Sequence, residues 1–261
     1  MIDTHSHMYS EQFDKDQTET IARARDNGVE YILLPNIDVD SIDALHELSQ
    51  RDKGCIPMMG LHPCSVDLDY SNQLKRIGFE LFQGSQKYIA VGEIGIDLYW
   101  DRSFIEQQKA AFRIQINWAK ELGIPIVIHA RDSMPEILEI LDEENSSDLR
   151  GVFHCFSGTT EDAERIMGYS GFKFGIGGVV TFKNATLPQV LKSIPLKHIL
   201  LETDAPYLAP MPYRGKRNES AYILYIADKL SDIYECSVEQ IKKITTENAE
   251  ELFQISKYLI R

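Results

Sequence analysis

The sequence predicts an α/β fold, a TIM-barrel-like (β/α)8 domain with additional C-terminal helices. Eight short runs rich in β-branched and other apolar residues alternate with longer segments of helical periodicity. The length of 261 residues, 43% of them hydrophobic, fits one barrel of this kind. No linker rich in Gly, Pro or Ser interrupts the alternation, so we expect a single domain over residues 1–261.

The strands recur along the chain at intervals that leave room for a helix. The first begins at Met1, and the others are predicted at residues 31–35, 56–61, 88–92, 124–129, 152–156, 172–176 and 199–203. Eight such strands suffice to close a barrel.

Helix signals occupy the segments between the strands. Ser103 with Glu106, and Ser133 with Glu136, have the spacing of capping boxes. After the last strand, residues 219–233 and 237–253 are predicted as two further helices, the second opened by a capping box of Ser237 and Gln240.

Composition restricts the class of function. The formal net charge of −13 argues against a broad basic surface that holds nucleic acid, because such binding depends on Lys and Arg neutralising phosphates. No apolar segment approaches the roughly 18 residues that span a bilayer, and the first residues lack a basic region followed by an apolar run, so we expect a cytoplasmic protein without membrane contact. The four cysteines form no CxxC pair and are expected to be buried free thiols.

Six potential metal ligands lie at or just beyond the carboxyl ends of predicted strands, the end of a barrel at which active sites are found. They are His5, His7, Glu93, His129, His154 and Asp204. Imidazole and carboxylate suit Zn²⁺, Mn²⁺ or related divalent ions, and six ligands are more than one four-coordinate ion requires. The pattern therefore predicts two divalent metal ions that share a carboxylate.

Any one histidine beside a strand is more commonly a hydrogen-bonded structural residue than a ligand. The joint pattern reverses this interpretation, because five of the seven histidines, including His62, fall at strand carboxyl ends. His46 lies within a helical segment and His198 precedes the eighth strand. We assign no function to those two.

Two metal ions can activate water and stabilise the attacking and leaving oxygens of a displacement, which indicates hydrolysis without a covalent intermediate. Asp204 is the candidate general base, with Glu202 as the lesser option. Glu202 could equally fill the barrel interior or orient a ligand. Asp97 is either a hydrogen-bond acceptor for a ligand or a solvated carboxylate. Arg131 either contacts substrate or, with Asp132, begins the next helix.

Residues 214–219 form a compact basic cluster near the predicted active face of this acidic chain. Arg214 and Lys216 provide charge, and Asn218 follows them. The cluster is either a phosphate clamp or a solvated loop whose helix begins at Asn218.

Taken together, these motifs resemble those of the TatD-type metal-dependent deoxyribonucleases, a family of the amidohydrolase-like barrel superfamily. The matching segments are 2–7 (IDTHSH), 60–63 (GLHP), 91–97 (VGEIGID), 128–132 (IHARD), 154–158 (HCFSG), 201–207 (LETDAPY) and 214–219 (RGKRNE). The likeness runs almost end to end, and the ordered set is specific although an HxH motif alone is not. One departure is Ser220, where the family pattern usually continues with proline after Asn-Glu.

The resemblance implies that the six ligands hold two divalent metal ions (Zn²⁺, Mn²⁺ or Mg²⁺), with Glu93 between them. It implies a DNA substrate cut at phosphodiester bonds, and it makes His62, Arg214, Lys216 and Asn218 expected substrate contacts. Because the surface is acidic and the site focused, we expect exonucleolytic action on single-stranded or frayed ends.

Two other classes of function stay open at the level of sequence. The same metal cradle serves hydrolases of carbonyl substrates, such as a cyclic amide or the ester of a misacylated tRNA. A metal-stabilised scaffold that binds a partner without turnover is the other class, and it predicts a closed coordination shell.

Overall fold

The computed structural model describes residues 1–260. Within them the chain forms eight strands, all paired in parallel. They are β1 (Ile2–Asp3), β2 (Tyr31–Leu34), β3 (Cys55–Pro57), β4 (Val91–Asp97), β5 (Ile126–Arg131), β6 (Gly151–Phe153), β7 (Phe172–Ile176) and β8 (Ile199–Leu201). The fold is the predicted (β/α)8 barrel.

Two short junctions close the barrel. The regular ladders run from β1 to β3 and from β4 to β8. An isolated bridge between Met59 and Val91 joins β3 to β4, and one between Ser6 and Ala205 joins the segments that follow β1 and β8. The amide of Thr4 also donates to the Leu201 carbonyl at 3.0 Å. Each of the eight strands described above therefore has two neighbours, and the barrel they form has no open sheet edge.

Helices follow the strands and form the outer layer. They are α1 (Gln17–Asp26), α2 (Ile42–Arg51), α3 (Tyr70–Gln83), α4 (Ile105–Leu122), α5 (Met134–Glu144), α6 (Thr160–Gly168), α7 (Leu187–Leu191), α8 (Ile223–Tyr234), α9 (Val238–Phe253) and α10 (Ile255–Ile260). The two predicted C-terminal helices correspond to α8 and α9, although residues 220–222 form a short 3-10 turn before α8.

Successive side chains along the strands point to opposite faces of the barrel wall, and this divides the core into two clusters. In β5, Ile126 and Ile128 belong to the large cluster that packs under the helices, whereas Val127 belongs to a second, smaller cluster. Val152 of β6 and Leu200 of β8 join Val127 in that second cluster. Since side chains at i and i+2 share one face of a strand, the inward row continues from these residues to positions 129, 154 and 202.

The second cluster fills the barrel and is closed from below by the end of α9. Leu252 and Phe253 are buried against the inward strand residues. The amide of Asn248 donates to the Ile199 carbonyl at 2.8 Å, at the start of β8. The amino-terminal end of the barrel is thus sealed, which leaves the carboxyl ends of the strands for a site.

The predicted capping boxes had different outcomes. Ser237 and Gln240 form the reciprocal bonds as predicted. The prediction at Ser103 was wrong, because α4 begins one residue later and its N-cap is Phe104. Ser133 is the N-cap of α5, but its hydroxyl donates to the Ile96 carbonyl at 2.6 Å instead of capping the helix. Tertiary contact with β4 has replaced the local bond.

Two smaller expectations concerned the burial of the cysteines and the absence of a membrane-spanning segment. Cys55 is buried, but Cys64 is exposed and the other two cysteines are half-buried, so the prediction of four buried thiols was wrong. Within residues 1–260, no helix combines the length and hydropathy needed to cross a membrane.

Candidate metal centre

The first site residues follow β1 and are fixed by contacts with the segment after β8. The carboxylate of Asp3 accepts hydrogen bonds from the amide and hydroxyl of Thr203, at 2.9 and 2.6 Å. The amide of Asp204 donates to the His5 carbonyl at 2.9 Å. These bonds hold His5, His7 and Asp204 together at the carboxyl end of the barrel.

Glu93 lies at the centre of the site, where the pairing register of β4 with β5 shifts between Val91 and Ile94. Its Oε2 is 3.0 Å from His5 Nε2 and 3.6 Å from His7 Nε2. Its Oε1 is 2.8 Å from His129 Nδ1 and 3.7 Å from His154 Nε2. The same oxygen is 3.4 Å from His62 Nε2. One buried carboxylate therefore presents one oxygen to two imidazoles and the other oxygen to three.

His129 lies between two carboxylates. Its Nδ1 faces Glu93, and its Nε2 is 2.8 Å from Asp97 Oδ2. Asp97 is buried at the end of β4, and its Oδ1 accepts hydrogen bonds from the amides of Tyr99 and Trp100 at 3.0 and 3.3 Å. A carboxylate behind a ligating histidine fixes the orientation of the ring. Of the two possibilities left by the sequence, Asp97 is not a solvated carboxylate, and it lies where it can orient the ring of His129, one of the predicted ligands.

His154 has a corresponding partner beneath the site. Glu202 Oε1 is 2.9 Å from His154 Nδ1 and accepts a hydrogen bond from the amide of Cys155 at 2.6 Å. Glu202 is fully buried, and its Oε2 has no hydrogen-bond partner among residues 1–260. A side chain at Gly175 would occupy the space of this carboxylate, since a Cβ there would lie 2.0 Å from Oε2.

Asp204 closes the site on the side of β8. Its Oδ1 is 3.6 Å from His7 Nε2 and 3.9 Å from both His5 Nε2 and His154 Nε2. Its backbone has a φ of 58°, a left-handed conformation that is uncommon outside glycine and is frequent at functional sites. Asp204 is only 9% exposed, which is more than Glu93 or Glu202.

Burial and mutual charge shift the pKa values of these groups in opposite directions. Burial lowers the pKa of His7 to about 4 and that of His5 well below its usual range, while the surrounding histidines hold the pKa of Glu93 far below normal despite burial. Burial opposes protonation of His154, but Glu202 raises its pKa to about 10. Burial raises the pKa of Asp204 to about 7. Neutral His5 and His7 beside an ionised Glu93 are in the protonation states that bind metal.

The donor set fits divalent cations, and its ligand atoms converge in three groups. His5, His7 and Glu93 form one group, His62, Glu93 and His129 form a second, and His5, His154 and Glu202 form a third. Asp204 lies within 3.9 Å of His5, His7 and His154. The cluster of buried carboxylates around His154 needs a positive charge for balance. A proton on His154 supplies this charge in the absence of metal, and a metal ion would supply it equally.

Two of the predicted substrate contacts, His62 and Arg131, differ in their neighbours and in their exposure. His62 Nε2 is 3.3 Å from His129 Nδ1, so it borders the site directly. Arg131 is exposed, and its guanidinium lies 3.7 Å from the centroid of the Tyr99 ring. Burial lowers the pKa of His62, which favours the neutral ring at neutral pH.

The basic loop divides into an exposed part and a buried part. Arg214 and Lys216 are exposed and lie over aromatic rings. Asn218 is fully buried, and its amide group donates to the carbonyls of Thr203 and Tyr207, both at 2.7 Å. In this arrangement Asn218 holds the loop that follows Asp204, and its amide hydrogens are already used within the protein.

The two histidines given no function lie outside the centre. His46 lies within α2, and its Nε2 is 2.6 Å from the Tyr88 hydroxyl. His198 ends a short 3-10 turn immediately before β8, at the sealed end of the barrel.

Sequence reasoning missed the aromatic residues at the mouth of the site. Tyr99 and Trp100 are 53% and 71% exposed in the loop after Asp97, and Tyr207 is 47% exposed with its ring 6.0 Å from that of His7. The available signal was the position of these aromatics immediately after strand ends that carry ligands, where loops form the active face.

Comparison with known proteins shows the family to which the chain belongs. A family model described as TatD related DNase matches residues 2–254. The chain is 40% identical to a Bacillus subtilis protein named as an uncharacterized metal-dependent hydrolase, YabD, over 98% of this chain and 100% of that one. It is 32% identical to the Cronobacter sakazakii protein named 3'-5' ssDNA/RNA exonuclease TatD, over 97% of each chain.

Solved structures show the same fold. The crystal structure of YjjV, a TatD homologue from Escherichia coli, matches with a TM-score of 0.91 at 28% identity, covering 97% of this chain and 98% of that one. An amidohydrolase from Saccharomyces cerevisiae matches with a TM-score of 0.81 at 18% identity, over 97% and 99% of the two chains.

Proposed function

The chain belongs to the family of TatD-related DNases and is a metal-dependent hydrolase, and from this premise we propose that it removes nucleotides from the ends of single-stranded DNA. Hydrolysis of the terminal phosphodiester bond is the reaction. The name of the Cronobacter sakazakii relative supports action from the 3′ end and makes RNA a second polymer to test.

The observation that carries this proposal is the position of Glu93 between two groups of histidines. Oε2 faces His5 and His7 while Oε1 faces His129 and His154. A carboxylate placed in this way can bridge two cations. Two divalent ions, when bound, supply the Lewis acidity that activates water near neutral pH and neutralises charge on a transferring phosphoryl group.

The surrounding residues have separable roles in this proposal. Asp204 is the most exposed of the central carboxylates, and we assign it as the base that accepts a proton from the attacking water. Glu202 is fully buried with Oε1 held by Cys155, so it positions His154 and does not exchange a proton with substrate. Asp97 does the same for His129.

The surface supports a substrate that approaches by one end. The chain carries a net charge of −13, which repels a long polyanion lying across it. Arg131 is the last residue of β5, and Arg214 and Lys216 lie in the loop after β8. All three are exposed at the carboxyl ends of strands, where they can contact phosphates near the cleaved bond. A short terminal segment of a single strand meets this distribution of charge better than continuous duplex does.

The direct test is a time course on single-stranded DNA labelled at the 5′ or the 3′ end, with Mg²⁺, Mn²⁺ or Zn²⁺ added to metal-free protein. Glu93→Gln and Asp204→Asn are compared with the wild type. Glu80→Gln is the matched control, because Glu80 is also a buried carboxylate but lies in α3. We expect stepwise shortening that requires metal, is lost in the first two variants and persists in the control.

The outcomes separate the classes of function. A ladder from one labelled end supports the exonuclease, and its direction gives the polarity. Internal fragments of similar abundance throughout would contradict end-directed action. Absence of cleavage with all three metals, while metal is bound, would reject the nuclease and direct attention to ester or amide substrates.

A further inference from the structure

A pair of exposed aromatic residues lies beside the metal centre and is not used by the roles assigned so far. Tyr99 and Trp100 lie two and three residues after Asp97, and Trp100 is 71% exposed. Their ring centroids are 4.9 Å apart and the rings are nearly perpendicular, at 87°. Single exposed hydrophobic residues are common on protein surfaces. A tryptophan this exposed beside a candidate active site indicates that a ligand binds there.

The turn that carries these rings is tied to the site. Asp97 Oδ1 accepts hydrogen bonds from the amides of Tyr99 and Trp100, while Oδ2 of the same carboxylate is 2.8 Å from His129 Nε2. The Leu98 amide also donates to the Arg131 carbonyl at 2.9 Å. The aromatic turn is therefore held at a fixed place, one side chain away from a predicted metal ligand.

Arg131 gives this surface its charge. Its guanidinium lies 3.7 Å from the centroid of the Tyr99 ring and 5.2 Å from that of Trp100, both within the range of cation–π attraction. Two aromatic rings and a planar cation complement a nucleotide, because the rings can stack on its flat base and the cation can pair with its negative phosphate. An aliphatic or purely acidic ligand would use only one of these two features.

We infer that Tyr99, Trp100 and Arg131 form a stacking site for an unpaired base of the DNA strand being cut. This inference rests on the proposed nuclease function and names the residues that would select a single strand over duplex. In duplex DNA, neighbouring bases cover both faces of each base, so stacking on protein requires a base that has left the helix. The site therefore selects frayed or single-stranded ends.

The test combines removal of the ring with removal of the base. Trp100→Ala and the wild type are assayed on a single-stranded oligothymidylate and on matched oligonucleotides in which one of the terminal residues is abasic. Phe79→Ala is the control, because Phe79 is 48% exposed but lies in α3. We expect Trp100→Ala to raise KM for the intact strand by roughly 5- to 150-fold, the range for loss of one stacked base, with a smaller change in kcat.

Coupling between the two changes distinguishes stacking from a general structural role. At one abasic position the wild type should lose most of its advantage over Trp100→Ala, whereas a merely structural effect of the substitution would persist on every oligonucleotide. Equal KM values for wild type and Trp100→Ala on the intact strand, in an enzyme that cleaves it, would overturn the stacking site and leave the proposed function standing.

A binding measurement covers the case in which no DNA is cleaved. The chain has two tryptophans, so Trp118→Phe leaves Trp100 as the single one. Stopped-flow mixing of that metal-loaded variant with oligothymidylate should quench its fluorescence, and a fully abasic strand of equal length should not. Equal responses to the two strands would overturn the inference, whereas selective quenching without cleavage would retain the stacking site and reject the nuclease.

Discussion

Replacement of Gly175 by alanine tests whether Glu202 must lie where the structure places it. An ideal Cβ at this position would lie 2.0 Å from Glu202 Oε2 and 2.7 Å from Cδ. To restore an ordinary contact of 3.4 Å, the carboxylate must retreat by about 1.4 Å. That displacement is enough to remove Glu202 from His154, since the present separation of Oε1 and Nδ1 is 2.9 Å.

The expected effect is on metal binding and activity more than on folding. Loss of a group that orients a metal ligand commonly reduces metal affinity or activity by about 10- to 100-fold. Overpacking adds about 1–3 kcal/mol of destabilisation. Metal affinity is measured by competition with a chelating dye, kcat/KM on the oligonucleotide, and stability by urea unfolding of the metal-free protein.

The chain supplies both a control and a rescue. A Cβ at Gly177 would lie 3.7 Å from Glu202 Oε1, an ordinary contact, so Gly177→Ala should retain metal affinity. Glu202→Asp, one methylene shorter, should recover part of the affinity when combined with Gly175→Ala. The reasoning is refuted if Gly175→Ala binds metal as the wild type does, or if Gly177→Ala is equally impaired.

Three further predictions concern the loop after β8 and its surroundings. Asn218→Ala should destabilise the protein by about 1–3 kcal/mol in urea unfolding, because buried carbonyls would be left without their donor, and an unchanged midpoint would contradict that role. Arg217 lowers the pKa of Asp16 to about 2, so this carboxylate stabilises the fold above its ordinary pKa and the contribution disappears as pH falls through 2. The stability difference between wild type and Asp16→Asn should therefore shrink as pH falls from 5, and a constant difference would count against the ion pair. Double neutralisation of Arg214 and Lys216 to Gln should flatten the dependence of log(1/KM) on log salt by about 0.7 for each DNA phosphate that these side chains neutralise in the wild type, whereas an unchanged slope would show that neither binds DNA.

The barrel was predictable because it depends on periodicity. Runs of alternating or continuous apolar residues predicted all eight strands, and strand ends predicted where ligands converge. The fourth strand was placed at 88–92 but extends from Val91 to Asp97. The part beyond residue 92 contains Glu93, Gly95 and Asp97, residues that a propensity argument takes for the start of a loop. Pairing with β5 outweighs that local preference.

Side-chain partners were less predictable than positions. Ser133 had the sequence of a capping residue, but its hydroxyl bonds to β4, and nothing local encodes that contact. The sequence left Asp97 between two roles because the choice depends on whether His129 lies within hydrogen-bond reach. Asn218 belongs to a matching motif, yet a motif does not say which of its members faces a substrate and which supports the loop.

The seal at the amino-terminal end of the barrel has a consequence for the order of events during synthesis. Leu252 and Phe253 close the barrel from below, yet they follow all eight strands in the sequence. On a ribosome, the complete set of strands would emerge while the interior surface that these two side chains cover was still open to water. A nascent chain arrested before residue 252 should therefore bind a hydrophobic dye or a chaperone. Once α9 has emerged from the ribosome, the chain should no longer bind the dye or the chaperone.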